Sequence, residues 1–221
     1  MTELQMLTYE TLPEAKAKPA KPAREGAPKV IELPRADLLS GISLLAALSF
    51  RSSTREFAPT PLSRQTLGAL LWAADGVNRP ITGGRTAPSP HGRQEIDIYA
   101  ALPEGVYRYE PSTHCLILKR AIDARGMTGY QDFVGAAPLD LVYVVSTSRL
   151  LSLPPAQRDT FSAITAGAIS QNVSLFCASA GLGTVVRGWI NHRLLAEALS
   201  LNEDEVPILA QTVGMNVVPH A

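Results

Sequence analysis

Residues 95–119, EIDIYAALPEGVYRYEPSTHCLILK, hold three short runs of strand-forming residues separated by turn signals. Ile96, Ile98 and Ala100 mark the first run, VYRYE follows a turn at Glu104-Gly105, and CLILK follows a turn at Pro111-Ser112. Their tight spacing reads as an antiparallel meander. Downstream, LDLVYVVS at 139–146 is a continuous apolar run, the pattern of a strand at the centre of a covered sheet. GTVVRGWI at 183–190 and PILAQTVG at 207–214 read as further strands, joined by a short helix that Asn191 can cap. A first helix is expected from Asp37, where Leu38, Leu39, Ile42, Leu45, Ala46 and Leu48 recur at helical spacing. A second opens at Ser63 as N-cap, carries Leu67, Leu70, Leu71 and Ala74 on one face and stops at Gly76. The longest, between Pro155 and Gly181, has small residues (Ala163, Ala166, Gly167, Ser170, Ala178) that let another helix approach closely. Helices therefore surround a mixed, mainly antiparallel sheet, and the expected class is α+β rather than a βαβ repeat.

Composition bounds what such a fold can do. The chain has 221 residues, 46% of them hydrophobic, which suits one good-sized core. Twenty basic and twenty acidic side chains cancel, so no global field is available to hold nucleic acid or an anionic membrane, and any anion site must be local. Cys115 and Cys177 lie in separate apolar stretches without metal-ligand spacing, and buried free thiols in a reducing compartment are expected. Residues 1–34 hold five of the seventeen prolines among alanines and lysines and read as a flexible arm ahead of a domain over 35–221. Glu3 and Glu10 stand where a secretory leader needs its apolar run, and no apolar stretch reaches the roughly 18 residues of a membrane span without a polar break. A soluble, cytoplasmic protein is the expectation.

Three segments carry candidate chemistry. In RSSTREF, Arg51 and Arg55 flank Ser52, Ser53 and Thr54 just after a helix. Guanidinium forks with neighbouring hydroxyls and backbone N–H groups make an anion cradle, and the same residues also suit a helix end where arginines meet the C-terminal dipole. On the segment alone the helix end is the favoured reading, since short motif matches are often accidental. In RTAPSPHGRQEIDIY, the Pro88-Ser89 pair sits in a stiff, glycine-rich loop that can present polar groups to the edge of a planar ring or simply form a turn. In GLGTVVRGWI, Arg187 and Gly188 give backbone access to a flat ligand, while the spacing excludes a dinucleotide fingerprint. The four histidines, His91, His114, His192 and His220, are scattered and read as surface or turn residues, with His91 a candidate for a pocket rim.

FRSSTREF (50–57), LLWAADGVNRPITGGRTAPS (70–89), QEIDIYAALPEGVYRYEP (94–111), APLDLVYVVS (137–146), SQNVSLFCASAGLGTVVRG (170–188) and LAQTVG (209–214), taken in that order, resemble the nitroreductase family of flavoenzymes. The branch resembled is that of dehydrogenases related to the oxidases that turn thiazolines and oxazolines into azoles. The resemblance implies an intertwined homodimer with two FMN sites at the interface. Arg51, Ser52, Ser53 and Arg55 match the family's phosphate, ribityl and pyrimidine contacts, with Ser52 replacing a second arginine. Pro88 and Ser89 match the loop laid on the partner's flavin, Gln131 the polar group near the pyrimidine, and Arg187-Gly188 the strand entry whose N–H groups approach flavin N5. An asparagine frequent after the serine is here Gly92 or Arg93, and the ending VGMNVVPHA lacks the family's usual basic residue for the phosphate. The implied activity is ping-pong hydride transfer through FMN, with NAD(P)H or an organic substrate as donor. The alternative is a partner-dependent, non-catalytic flavin-binding subunit of a larger complex.

Overall fold

The computed structural model describes residues 18–22 and 27–217. In chain order these form β1 (Lys21–Pro22), β2 (Val30–Glu32), α1 (Leu44–Phe50), β3 (Phe57–Ala58), α2 (Arg64–Asp75), β4 (Val77–Arg79), β5 (Gly84–Arg85), β6 (Ile96–Leu102), β7 (Gly105–Glu110), β8 (Cys115–Arg120), β9 (Ile122–Asp123), β10 (Leu139–Ser146), α3 (Pro155–Ser179), β11 (Leu182–Arg187), α4 (His192–Leu199) and β12 (Glu205–Asn216). The main sheet runs β11-β12-β10-β6-β7-β8-β2, with β3 added to the end of β12. Every described strand pairing is antiparallel. The α+β class with a mainly antiparallel sheet is therefore the observed architecture.

β10 lies mid-sheet and all eight of its residues are buried, as a run that is apolar but for Asp140 and Ser146 suits. Its alternation serves two cores. Leu141, Tyr143 and Val145 join α2 and α3 through Leu70, Leu71, Ile169 and Val173, while Val142 and Val144 meet Leu195 and Leu199 of α4 on the other face. Full burial of each such side chain contributes about 1.5–3 kcal/mol. α3 has the length and mean hydropathy of a membrane span. It packs instead as a core helix against α1, α2 and β11, with Ser162, Thr165, Ser170 and Ser174 buried.

The caps expected at Ser63 and Asn191 form, each side chain accepting from a first-turn N–H at 3.0 Å. Two expectations fail for local reasons. The first helix starts at Leu44, not near Asp37, because Asp37 accepts from Leu39 N–H and Gly41 takes a φ of 97° that no helix contains. The 1–34 arm also needs correction over the residues described. β2 pairs with β8, and Ile31 and Leu33 are buried in the main core. His114, which takes the left-handed φ of a turn residue, also ties the sheet to this stretch: its ring joins the Tyr109 hydroxyl (2.8 Å) to the Pro34 carbonyl (3.0 Å). Residues 1–17 and 23–26, the remainder of the expected arm, lie outside the described residues.

Candidate functional site

The open edge of β11 collects most of the candidate residues. Leaving α1, the chain from Arg51 runs extended, and Thr54 N–H donates to the Thr184 carbonyl at 2.9 Å, laying this segment against that edge. Phe57 then anchors it, buried with Ala137, Val185 and the ring of Phe133, whose centroid is 6.1 Å away. Arg51, Ser52, Ser53 and Arg55 are left exposed. Among the described residues neither guanidinium has a hydrogen-bond or ion-pair partner, so both forks are free for a ligand.

Arg187, at the far end of β11, is built on opposite terms. Its side chain is 2% exposed and pairs with the fully buried Asp140 at 2.6 Å. The same guanidinium donates to the Thr128 carbonyl and hydroxyl, and Thr212 donates to Asp140 at 2.5 Å. Burial pushes the Asp140 carboxyl up and the Arg187 guanidinium down, each opposed by the other's charge. The cluster stitches the 128–133 loop to β10, β11 and β12. Tyr130 packs at a tilt against Trp189 with centroids 5.1 Å apart, and Gln131 is held with its Oε1 buried and without a partner among the described residues. Arg187 can thus offer a ligand only its backbone. Gly188, exposed beyond the strand end, has open space where a side chain would sit, with Leu209 alone in reach at 3.7 Å.

Pro88 and Ser89 lie apart from this edge. Ser89 donates to Glu95 at 2.7 Å and accepts from Gln94 N–H at 2.7 Å, so its hydroxyl proton is committed and one lone pair is left for a further donor. Behind the loop lies a cavity of about 200 Å³ lined partly by Asp75, Arg85 and Thr165. Asp75 pairs with Arg85 at 2.5 Å, yet burial outweighs that pairing and pushes its carboxyl up to about 7. His91 is exposed on the turn in the left-handed region, φ 53°.

One chain therefore lays Arg51–Arg55 along the β11 edge, sets Gln131 and Arg187-Gly188 at the far end of that strand, and holds Pro88-Ser89 in a separate loop. Sequence reasoning missed the Asp140–Arg187 pair. Its signal was the lone charge in LDLVYVVS, since a carboxylate in a fully covered strand requires a buried partner.

The profile of the nitroreductase family matches residues 48–215. The chain belongs to the nitroreductase family. A Methanocaldococcus jannaschii protein named as a nitroreductase is 30% identical over 190 residues, covering 80% of this chain and 92% of its own length. The crystal structure of a nitroreductase-family protein from Ralstonia eutropha JMP134 superposes with a TM-score of 0.89 at 57% identity, covering 92% of this chain and 97% of that one. The NADPH:FMN oxidoreductase of Vibrio harveyi, solved with NAD+, shares the fold at a TM-score of 0.60 and 18% identity, covering 80% and 70%. In this nitroreductase-family chain, the matched segment takes in every candidate residue from Arg51 to Gly188.

Proposed function

We propose that this protein is an FMN-dependent oxidoreductase acting as a homodimer. The observation that carries the reading is the β11 edge: two unpartnered guanidiniums and a buried, unpartnered Gln131 acceptor beside an open glycine backbone, on a nitroreductase fold. These residues fit FMN. Arg51 suits the phosphate, Ser52 and Ser53 the ribityl hydroxyls, Arg55 the electron-rich pyrimidine edge and Gln131 an N–H of that edge. Gly188 leaves room for a ring system to meet the backbone without a Cβ.

Bound FMN would supply hydride acceptance at N5 from NAD(P)H or an organic donor, and return of the hydride to a second small-molecule substrate in a ping-pong cycle. The chain's own contribution is binding, orientation and charge. Arg55 stabilises negative charge that develops at the pyrimidine edge on reduction. The Asp140–Arg187 pair holds the 128–133 loop and leaves the Arg187-Gly188 backbone free. Pro88 and Ser89 complete the partner's site, Ser89 contributing a lone pair.

An exposed apolar surface supports the dimer. Leu44, Leu45, Leu48 and Phe50 of α1 are 46–78% exposed, and an apolar groove of about 1010 Å³ lies between residues 36–41, α2 and the end of α3. Patches of this kind mark association sites on single chains. The two cysteines are free and buried, which suits a reducing compartment.

The test is the anaerobic absorbance spectrum of the purified protein with and without NADH and NADPH. One FMN per chain, bleached by either nucleotide, is expected. Retention of FMN with no bleaching by either would favour the partner-dependent flavin subunit or another donor, and absence of bound flavin after reconstitution would remove the reading.

A further inference from the structure

The cavity of about 200 Å³ behind the Pro88-Ser89 loop holds an ion pair that is only half used. Asp75 ends α2 and Arg85 ends β5, and they meet through one contact, Arg85 Nη1 donating to Asp75 Oδ2 at 2.5 Å. A guanidinium and a carboxylate can pair through two parallel bonds, so each partner here keeps an unused arm. Arg85 Nε is sealed in protein, whereas Asp75 Oδ1 and Arg85 Nη2 are neither sealed nor bonded among the described residues. The two side chains are 7% and 14% exposed and both line the cavity, so the little surface they keep lies on its wall. The proposed flavin contact of Ser89 uses neither atom.

We propose that this cavity binds a small neutral primary carboxamide, its carbonyl accepting from Arg85 and its N–H donating to Asp75. The two free arms ask for an acceptor and a donor side by side, which is the edge a primary amide presents. The absence of net charge follows from the surroundings. Glu95 accepts from the wall residue Ser89, and Arg149 joins the Gln94 carbonyl to Asp97. With Arg79 on the wall, three carboxylates and three guanidiniums therefore balance around the cavity. Burial first, then the charges of Asp97 and Glu95, push the Asp75 carboxyl up to about 7 against the pull of Arg85, so a further anion is resisted. Arg79 and Arg85 resist a cation in the same way. The volume lies below the roughly 300–1,000 Å³ of larger ligand pockets, which limits the ligand body to a few carbons.

The probe is isobutyramide, titrated by calorimetry into the full-length flavin-loaded protein at about pH 8, where Asp75 is mainly ionised and accepts. Isobutyrate and isobutyramidinium serve as its isosteric anion and cation. Saturable binding of one amide per chain is expected, about tenfold or more tighter than either ion, with an unchanged flavin spectrum. Asp75→Asn keeps an oxygen on Arg85 but turns a donor toward the cavity in place of the acceptor, and Arg85→Lys keeps the charge beside Asp75 but loses the second arm. Each should weaken the amide about tenfold or more. Both retain the buried pairing and should fold, thermal melts check that, and the charge series on the wild type decides without them. No saturable heat, binding of either ion as tight as the amide, undiminished binding by a folded variant, or a flavin spectral shift on adding the amide would each overturn the proposal.

Discussion

Arg187 and the Arg51–Arg55 pair lie at two ends of one sheet edge and differ in what their charges meet. Arg187 is wrapped in protein acceptors, Asp140 and Thr128, and leaves its Nε and Asp140 Oδ2 as the only unpartnered polar atoms of that ion pair. Arg51 and Arg55 meet no protein acceptor among the described residues. The first arrangement is committed to the fold and the second to something outside it. An ion pair taken out of water adds little net stability, but each partner needs the other because desolvation has already been incurred. Exposed charges carry no such debt, and removing them leaves the fold alone.

That contrast can be broken most directly at Arg187. Arg187→Met leaves Asp140 buried without its cationic partner, and should destabilise the protein by about 3–5 kcal/mol in chemical denaturation. Arg51→Ala should shift the same midpoint by no more than about 0.5 kcal/mol. Comparable losses in the two variants would mean that Arg51 also has a structural partner.

Asp75 sharpens the comparison because its pairing is incomplete. It meets Arg85 at 2.5 Å, yet its carboxyl is pushed up to about 7 from an ordinary value of 3.8. Between those values the folded chain holds a proton that the unfolded chain has released. The stability from this site is therefore fully present below about pH 4 and lost as pH rises to about 7. The swing is on the order of 2–4 kcal/mol. Asp75→Asn should remove this slope from a stability–pH profile measured beside wild type, and an unchanged difference between pH 5 and pH 8 would count against a protonated Asp75.

Much of the sheet was legible because its signals are local. The meander announces itself through turns at Glu104-Gly105 and Pro111-Ser112, and Ser63 and Asn191 cap the helices they precede. What stayed hidden depends on partners far apart in sequence. Nothing near residue 31 says that Ile31 pairs beside Leu116, because a short strand after a proline-rich stretch has too few residues for periodicity to register. His114 looks like a turn residue and is one, but its ring also joins Tyr109 to Pro34, a role visible only once both are brought to it. At the candidate site, RSSTREF was legible as an anion cradle or a helix end. Arg51 does cap α1, its N–H donating to the Ala47 carbonyl at 2.9 Å, while its side chain remains free. The helix end is thus closed by the Arg51 backbone, and no guanidinium of the segment bonds a helix carbonyl among the described residues.

Within the exposed pair, Arg51→Ala should weaken FMN binding by about 1.5–3 kcal/mol, measured by equilibrium dialysis or fluorescence quenching of the flavin. If Arg51 serves the phosphate, oxidised and reduced FMN lose this contact equally. The midpoint potential then stays near that of wild type, and unchanged affinity would remove Arg51 from the site.

Arg55 should separate from Arg51 by a smaller but different signature. A guanidinium at the pyrimidine edge stabilises the anionic reduced ring more than the neutral oxidised one, so its loss lowers the potential as well as the affinity. The charge is exposed and partly screened by solvent, which limits the differential to about 1.4 kcal/mol, or roughly 30 mV for a two-electron couple. Arg187 cannot stand in for it, because its guanidinium is turned inward to Asp140 and Thr128. Spectroelectrochemical titration of Arg51→Ala and Arg55→Ala side by side reads the difference. A shift in the first with none in the second would exchange the two roles, and a shift in neither would move the charge stabilisation to backbone N–H groups such as those beside Gly188.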